Sequence, residues 1–245
     1  MNNGSGLQRG HSTAHDNTVV YRLSKVAAHV KIAGRWLDCG CAEGGYTSEI
    51  VRVGAAHVVG VDIEQSRVND ARDRGLDDAA WAVAPSEGLP FAAASFDGVF
   101  LNEVLEHVEN ESATLREIRR VLADDGVLVV MSPNRWFPFE GHGLSTPWFN
   151  MPFPVPFVSW MPQRLVRRYM TARNYWPREL KAIIEDDGFT VVVVDFVFPM
   201  FERWRWLPRS VERRYLRLLP RLDHLWGVRK LGVSTLLIAR RSKGL

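Results

Sequence analysis

Cysteine is scarce in this 245-residue chain, with only Cys39 and Cys41, two apart inside one glycine-rich stretch. That spacing is neither a disulfide framework nor a metal-ligand set, and it predicts a reducing, cytoplasmic setting. Long apolar runs are missing as well. No stretch of about 18 apolar residues occurs, which argues against a spanning helix. No basic segment leading into an apolar one opens the chain, which argues against a secretory leader. Nor is one sign of charge in excess: 31 Lys and Arg against 28 Asp and Glu leave +3, too mild a balance to imply nucleic acid by itself. Histidines are few. His11 and His15 lie in the polar Met1 to Asn17 segment, expected to be flexible, and read as solvated side chains rather than metal ligands.

What is present is enough apolar residue, 46% of the chain, to bury one good core. One stretch organises the rest. Trp36-Leu37 is an apolar approach ending in Asp38, Gly40 to Gly45 is a glycine-rich turn, and Tyr46-Thr47 can begin a helix. A strand feeding a ligand loop in an open α/β sheet has this layout, with glycine where the backbone turns sharply and a ligand comes close. Two ligand classes use such a loop. A dinucleotide seats its pyrophosphate on the helix N-terminus. Here Gly40-x-Ala42-x-x-Gly45 is a degenerate form of that fingerprint, and Glu43 would set a carboxylate beside the phosphates.

The spacing Asp38-x-Gly40-x-Ala42-x-Gly44 resembles instead the first motif of class I S-adenosylmethionine-dependent methyltransferases of the small-molecule and lipid type. Their cofactor carries cationic sulfonium and ammonium groups and no phosphate, which suits an acidic loop. Downstream, His57 to Asp62 is a short apolar strand ending in an acid, roughly 20 residues past the loop, where a carboxylate can accept from ribose hydroxyls or cap the helix expected over Ser66 to Arg74. The succession Ser86-Glu87-Gly88-Leu89-Pro90-Phe91, then Ser95-Phe96-Asp97 and onward to Val108, continues the resemblance: an adenine-side loop, a fourth strand entered through Phe-Asp, then a turn into helix. Pro85 stands where the family usually has an acid, so adenine contacts would fall to Ser86, Glu87 and nearby backbone. The resemblance implies a cofactor set of Asp38, Gly40, Ala42, Gly44, Asp62, Ile63, Ser86, Glu87 and Asn102, with S-adenosyl-L-methionine as cofactor and no metal.

Periodicity predicts the remaining elements: helices over Tyr21 to Ile32, Thr47 to Val53, Glu111 to Leu122 (ending at Asp124-Asp125-Gly126) and from Pro177 to a stop at Gly188. Strands are expected at Ala80 to Val83, Val127 to Met131, Phe189 to Val197 and Val233 to Ala239. Alternating strands and helices predict an α/β, doubly wound, mostly parallel sheet. The resemblance makes it a seven-stranded Rossmann-like methyltransferase fold whose last strand inserts antiparallel. Residues 18–245 then form a single domain with insertions at 134–175 and 199–232. Seven of the nine tryptophans lie beyond Ser132, and both insertions are aromatic. At the carboxyl ends of the strands they would form a cap over an acceptor. The proline density of the first excludes a long helix there. In the second, Val211, Tyr215, Leu218 and Leu219 share a helical face beside Arg209, Arg213 and Arg217, with Pro220 expected to end the helix. Two readings stand for that segment, one lying in an anionic membrane interface and one packing on the sheet.

The expected function is methyl transfer to a small-molecule or lipid-linked acceptor, at O, N or C. A base is needed only where the acceptor must lose a proton, and His107, Glu140 and His142 are the candidates. A nicotinamide-dependent oxidoreductase and a non-catalytic cofactor-binding module are the alternatives. Nucleic acid is not the expected partner, since no Asn-Pro-Pro-Tyr-type motif follows the fourth strand. The oligomeric state is open.

Overall fold

The computed structural model describes residues 17–140, 144–145, 150–151, 155–170, 172–200 and 208–242. The first half alternates except where β3 leads to β4 without a helix: α1 (Asn17–Ala27), β1 (Arg35–Cys39), α2 (Gly45–Arg52), β2 (His57–Asp62), α3 (Gln65–Arg72), β3 (Ala79–Val83), β4 (Phe96–Asn102), α4 (Glu111–Val121) and β5 (Leu122–Pro133). Short pieces follow: β6 (Phe139–Glu140) paired with β9 (Val155–Pro156), β7 (Leu144–Ser145) paired with β8 (Asn150–Met151), and α5 (Gln163–Val166). The frame resumes with α6 (Pro177–Asp186), β10 (Phe189–Val197), α7 (Arg209–His224), α8 (Trp226–Arg229) and β11 (Ser234–Arg241).

Seven strands make one sheet in the order β10-β11-β5-β4-β1-β2-β3. β11 runs antiparallel to both neighbours and the other pairs are parallel. Because side chains alternate along a strand, each strand feeds two cores. Leu37, Val99, Leu101, Leu128 and Leu237 meet Leu115 and Ile118 of α4 and Leu180 and Ile184 of α6 on one face. Trp36, Phe100, Val129, Met131 and Leu236 meet Leu23 and Val26 of α1 and Ile50 of α2 on the other. With both faces covered, the middle strands read as continuous apolar runs, as β5 does. Among the described residues no helix is long and apolar enough to cross a membrane.

Three expectations are corrected. α1 ends at Ala27 rather than Ile32, and Ile32 is buried in the core on the approach to β1. β5 begins at Leu122, directly where α4 ends. Its pairing with β4 jumps from Phe96↔Leu122 to Gly98↔Val127, so Asp124-Asp125-Gly126 is absorbed as a bulge inside the strand rather than forming a turn before it. The expected turn after β4 is found at residues 105–107, and α4 starts at Glu111 as expected, after Asn110, whose side chain accepts the Ala113 N–H at 2.9 Å. α7 continues through Pro220 to His224. Leu219 faces inward and Pro220 outward, so the carbonyl that proline leaves without a donor is on the side water can reach. The first insertion forms no long helix among the described residues, as its prolines require.

Candidate functional site

The site is built on the carboxyl edge of β1, β2 and β4. The loop after β1 is pinned by its own backbone: the N–H groups of Gly40 and Cys41 donate to Val61 O at 2.7 and 2.9 Å. Gly40 and Gly44 hold φ of 83° and 80°, and a Cβ on Gly40 would overlap a Val104 methyl. Glycine there is a matter of both backbone conformation and space. Ala42, at the third motif position, also sits in the left-handed region, with φ 46°, a conformation disfavoured for any residue with a Cβ.

Asp62 ends β2 beside this loop and is buried. One carboxylate oxygen accepts the Ala42 N–H at 2.9 Å and the other the Glu64 N–H at 2.9 Å. An ionised carboxylate offers about four lone-pair directions, so both oxygens keep capacity for a pair of ligand hydroxyls while holding the loop. The next side chain, Ile63, is 69% exposed, an apolar surface held out at the same edge that suits a flat base. Asp38 is buried and accepts the Thr47 hydroxyl at 2.6 Å. Burial, with the nearby Asp62 charge adding to it and the Thr47 hydrogen bonds opposing it, pushes the Asp38 carboxyl up to about 7. Glu43 has Arg67 at 3.9 Å. The two cysteines are buried and their thiols are pushed up, chiefly by burial, which leaves them chemically quiet.

Ser86 and Glu87 follow β3 in a turn closed by the Gly88 N–H on Pro85 O. The Ser86 hydroxyl lies 3.2 Å from both Glu87 Oε2 and Thr114 Oγ1. Asn102 ends β4 and accepts from Arg22 of α1 at 2.7 Å. The same guanidinium donates to Glu103 at 2.9 Å and to Ser234 Oγ at 3.0 Å, joining α1, β4 and β11 behind the site. His107 lies in the turn after β4 with an exposed side chain. Glu140 contributes backbone to β6 opposite Val155, but its side chain and the whole of His142 lie outside the described residues.

One residue that sequence reasoning passed over stands next to His107. Glu106 is buried, its Oε2 accepts from Ser132 Oγ at 3.3 Å, and among the described residues its Oε1 has no hydrogen-bond partner. Burial first, and the neighbouring Glu103 charge second, hold this carboxyl well above the usual range. The only sequence signal for it is an acid in Glu103-Val104-Leu105-Glu106, beside the more familiar acid–base residue His107.

This sheet order with its one antiparallel strand, the glycine loop on β1 and the acid ending β2 is the fold of the class I S-adenosylmethionine-dependent methyltransferases. Residues 37–130 match the methyltransferase domain family. A ubiquinone biosynthesis O-methyltransferase of Xanthomonas oryzae pv. oryzae is 34% identical over 119 residues, covering 46% of this chain and 49% of that protein. A malonyl-[acyl-carrier protein] O-methyltransferase of Legionella pneumophila is 31% identical over 112 residues, covering 44% and 39%. The chain thus spans about half the length, or less, of these relatives. A crystal structure of an S-adenosylmethionine-dependent methyltransferase from Mesorhizobium loti shares the fold with TM-score 0.62 at 18% identity, over 89% of this chain and 96% of that one. S-adenosylmethionine is the cofactor of this class, and the nicotinamide reading finds no support among these relatives.

Proposed function

We propose that this chain transfers a methyl group from S-adenosylmethionine to a small-molecule or lipid-linked acceptor. The observation that carries the reading is Asp62, which ties the glycine loop to the end of β2 and keeps lone pairs in reserve. In this reading Gly40, Ala42 and Gly44 let the methionine end lie against the backbone, and Asp38 supports the loop or faces the ammonium group. Asp62 accepts from the ribose hydroxyls, Ile63 covers the base, and Ser86, Glu87 and Asn102 border the pocket. When bound, S-adenosylmethionine supplies a methyl group on a cationic sulfur. The chain's contribution is approximation, worth at best roughly 7–11 kcal/mol, and a proton acceptor where the acceptor is a hydroxyl. His107, Glu140 and His142 are candidates for that last role, and Glu106 joins them. The names of the relatives, a ubiquinone-pathway and an acyl-carrier O-methyltransferase, support an acceptor of small-molecule or lipid-linked kind.

Residues 18–245 act in this reading as one methyltransferase unit whose insertions, 134–175 and 199–232, cap the acceptor. The side-chain amide of Asn134 supports it, donating to Lys230 O and Gly232 O, both at 2.7 Å, and so joining the feet of the two insertions. Calorimetry of S-adenosylmethionine binding tests the core of the proposal. Asp62→Ala is expected to weaken binding by about 1.5–3 kcal/mol, the range for hydrogen bonds to a charged acceptor. Unchanged affinity would remove Asp62 from the site, and tight NADH binding without binding of S-adenosylmethionine would reverse the reading. Labelled methyl transfer to an extract, followed by mass spectrometry, would then identify the acceptor.

A second reading, peripheral association with an anionic membrane surface, rests on α7. Its apolar residues divide: Leu219 is buried and Tyr215 donates to Pro199 O at 3.0 Å, while Val211 and Leu218 are exposed beside Arg213 and Arg217. One side of the helix is occupied by the protein body and a mixed apolar and cationic side is left to solvent.

A further inference from the structure

A cavity of about 540 Å³ opens on the same edge of the sheet as the glycine loop but toward its other end. Trp136, just past β5, Trp176, which caps α6, and Phe196, near the end of β10, form its apolar part. Arg178, Arg229 and Lys230 form its charged part. The strands that carry these residues lie two to four positions from β1 in the sheet order, a separation of about 10–20 Å at the usual strand spacing.

Trp136 is the informative residue. Its ring packs edge-on against Trp176 with centroids 4.9 Å apart. Its N–H donates to Asn134 Oδ1 at 3.1 Å, and its carbonyl accepts from Trp160 Nε1 at 3.3 Å. Trp176 is fixed in turn by the Arg135 guanidinium, 4.9 Å over its ring. Yet Trp136 remains 44% exposed. A large aromatic surface that is held in place and still faces a cavity is a platform for a ligand rather than part of a core. The electrostatics give the ligand's sign. Arg229 is paired with Asp195 at 2.5 Å, and Glu179 is held by the Trp176 N–H at 3.4 Å. Arg178 makes no ion pair among the described residues. Among the described lining residues three are cations and none is a carboxylate.

We propose that this cavity binds the anionic end of an amphipathic molecule, a carboxylate or phosphate on an acyl or aryl body, with the body stacked on Trp136. Identifying that molecule as the methyl acceptor rests on the methyl-transfer reading. An acceptor held here by its charged end has to be extended to present its other end at the glycine loop.

The test is isothermal titration of the full chain with dodecyl phosphate kept below its micelle concentration. Inorganic phosphate, dodecyltrimethylammonium and phosphatidylglycerol vesicles form parallel arms, and S-adenosylmethionine is titrated separately. Dodecyl phosphate is expected to bind one to one, with inorganic phosphate and the ammonium amphiphile far weaker. Arg178→Glu, a surface change, should weaken dodecyl phosphate about ten- to a hundredfold, the worth of a charge-assisted hydrogen bond. Trp136→Ala should weaken it independently, and neither variant should alter affinity for S-adenosylmethionine. Equal affinity for both amphiphiles, an unchanged Arg178→Glu, or binding only to vesicles would overturn the proposal. Binding of S-adenosylmethionine without dodecyl phosphate would defeat the cavity claim alone. Binding of dodecyl phosphate without S-adenosylmethionine would defeat the methyl-transfer reading and leave the cavity standing.

Discussion

Two buried acids, Asp38 in β1 and Glu106 after β4, answer to different tests. Asp38 is raised to about 7 from an ordinary 3.8, chiefly by burial. Between those values the folded chain holds a proton that the unfolded chain has released, so folding takes up a proton and stability falls as pH rises through the window. Denaturant midpoints at pH 5 and pH 8 should therefore show a drop in the wild type that Asp38→Asn abolishes; an identical drop in both would assign it elsewhere. Glu106 answers to turnover instead. With a hydroxyl acceptor, Glu106→Gln is expected to lower turnover by roughly 10²–10⁴ while cofactor affinity holds. His107→Ala should do the same only if the exposed imidazole swings inward. Full activity in both variants would show that holding the reactants together is sufficient.

Among the elements, α7 makes the sharpest claim. Its exposed Val211 and Leu218 are small in area, and the nearby arginines supply the larger share of any attraction to anionic lipid, about 1 kcal/mol for each basic side chain at the surface. Co-sedimentation with phosphatidylglycerol vesicles at low salt should fall when Arg213→Glu and Arg217→Glu are combined, and should fall again with added salt. Absence of sedimentation by the wild type at low salt would leave α7 as a helix packed through Tyr215 and Leu219 and nothing more. The loop after β1 shows the opposite economy. Ala42 keeps a left-handed backbone without glycine because its N–H is fixed by Asp62 and the neighbouring Gly40 and Cys41 N–H groups by Val61 O, a strain that surrounding structure over-determines.

Across the whole molecule the first helix, the edge strand and the late helices meet at one carboxylate. Asp195, buried in β10, lies 3.0 Å from Lys25 and from His29 of the α1 region and 2.5 Å from Arg229 of α8, and Lys25 reaches on to Asp223 of α7 at 2.7 Å. Burial pushes the Asp195 carboxyl up, but the hydrogen bonds from His29, the Phe196 N–H and Lys25 outweigh it, and the net value is lowered to about 2. A depressed acid contributes stability that is complete above its unfolded value of 3.8 and is lost as pH falls toward 2. Asp195→Ala should cost stability toward the lower end of the about 3–5 kcal/mol typical of breaking a buried pair, since its cations reach solvent. The variant should also lose part of the wild-type sensitivity between pH 4 and pH 2. A urea midpoint unchanged at pH 7 would mean that the network holds nothing together.

The sheet was legible from the chain because its signals are local: apolar runs bounded by Gly40, Gly54 and Gly188, a proline opening α6, and an acid ending β2. The same holds for the turn of the loop, since the positive φ of Gly40 and Gly44 is a local demand, whereas the Val104 methyl that closes on Gly40 comes from a distant strand end. Element boundaries were less legible. Asp124-Asp125-Gly126 has the composition of a turn and became a bulge, because pairing with β4 on one side and β11 on the other outweighs local turn preference. Pro220 has the chemistry of a helix stop and is carried through, because it stands on the exposed side of α7, where the Leu216 carbonyl it leaves without a donor is open to water. Partnerships between distant residues were not legible at all. No spacing rule joins Arg22 to Glu103 and Ser234, buries Glu106 against Ser132, or sets Trp136 against Trp176 over three cations. The sequence determined the ligand loop, the strand order's raw material and the acid at the end of β2. Tertiary packing alone decided which charges are shielded from water and which aromatic faces remain open, because both depend on what the rest of the chain brings alongside.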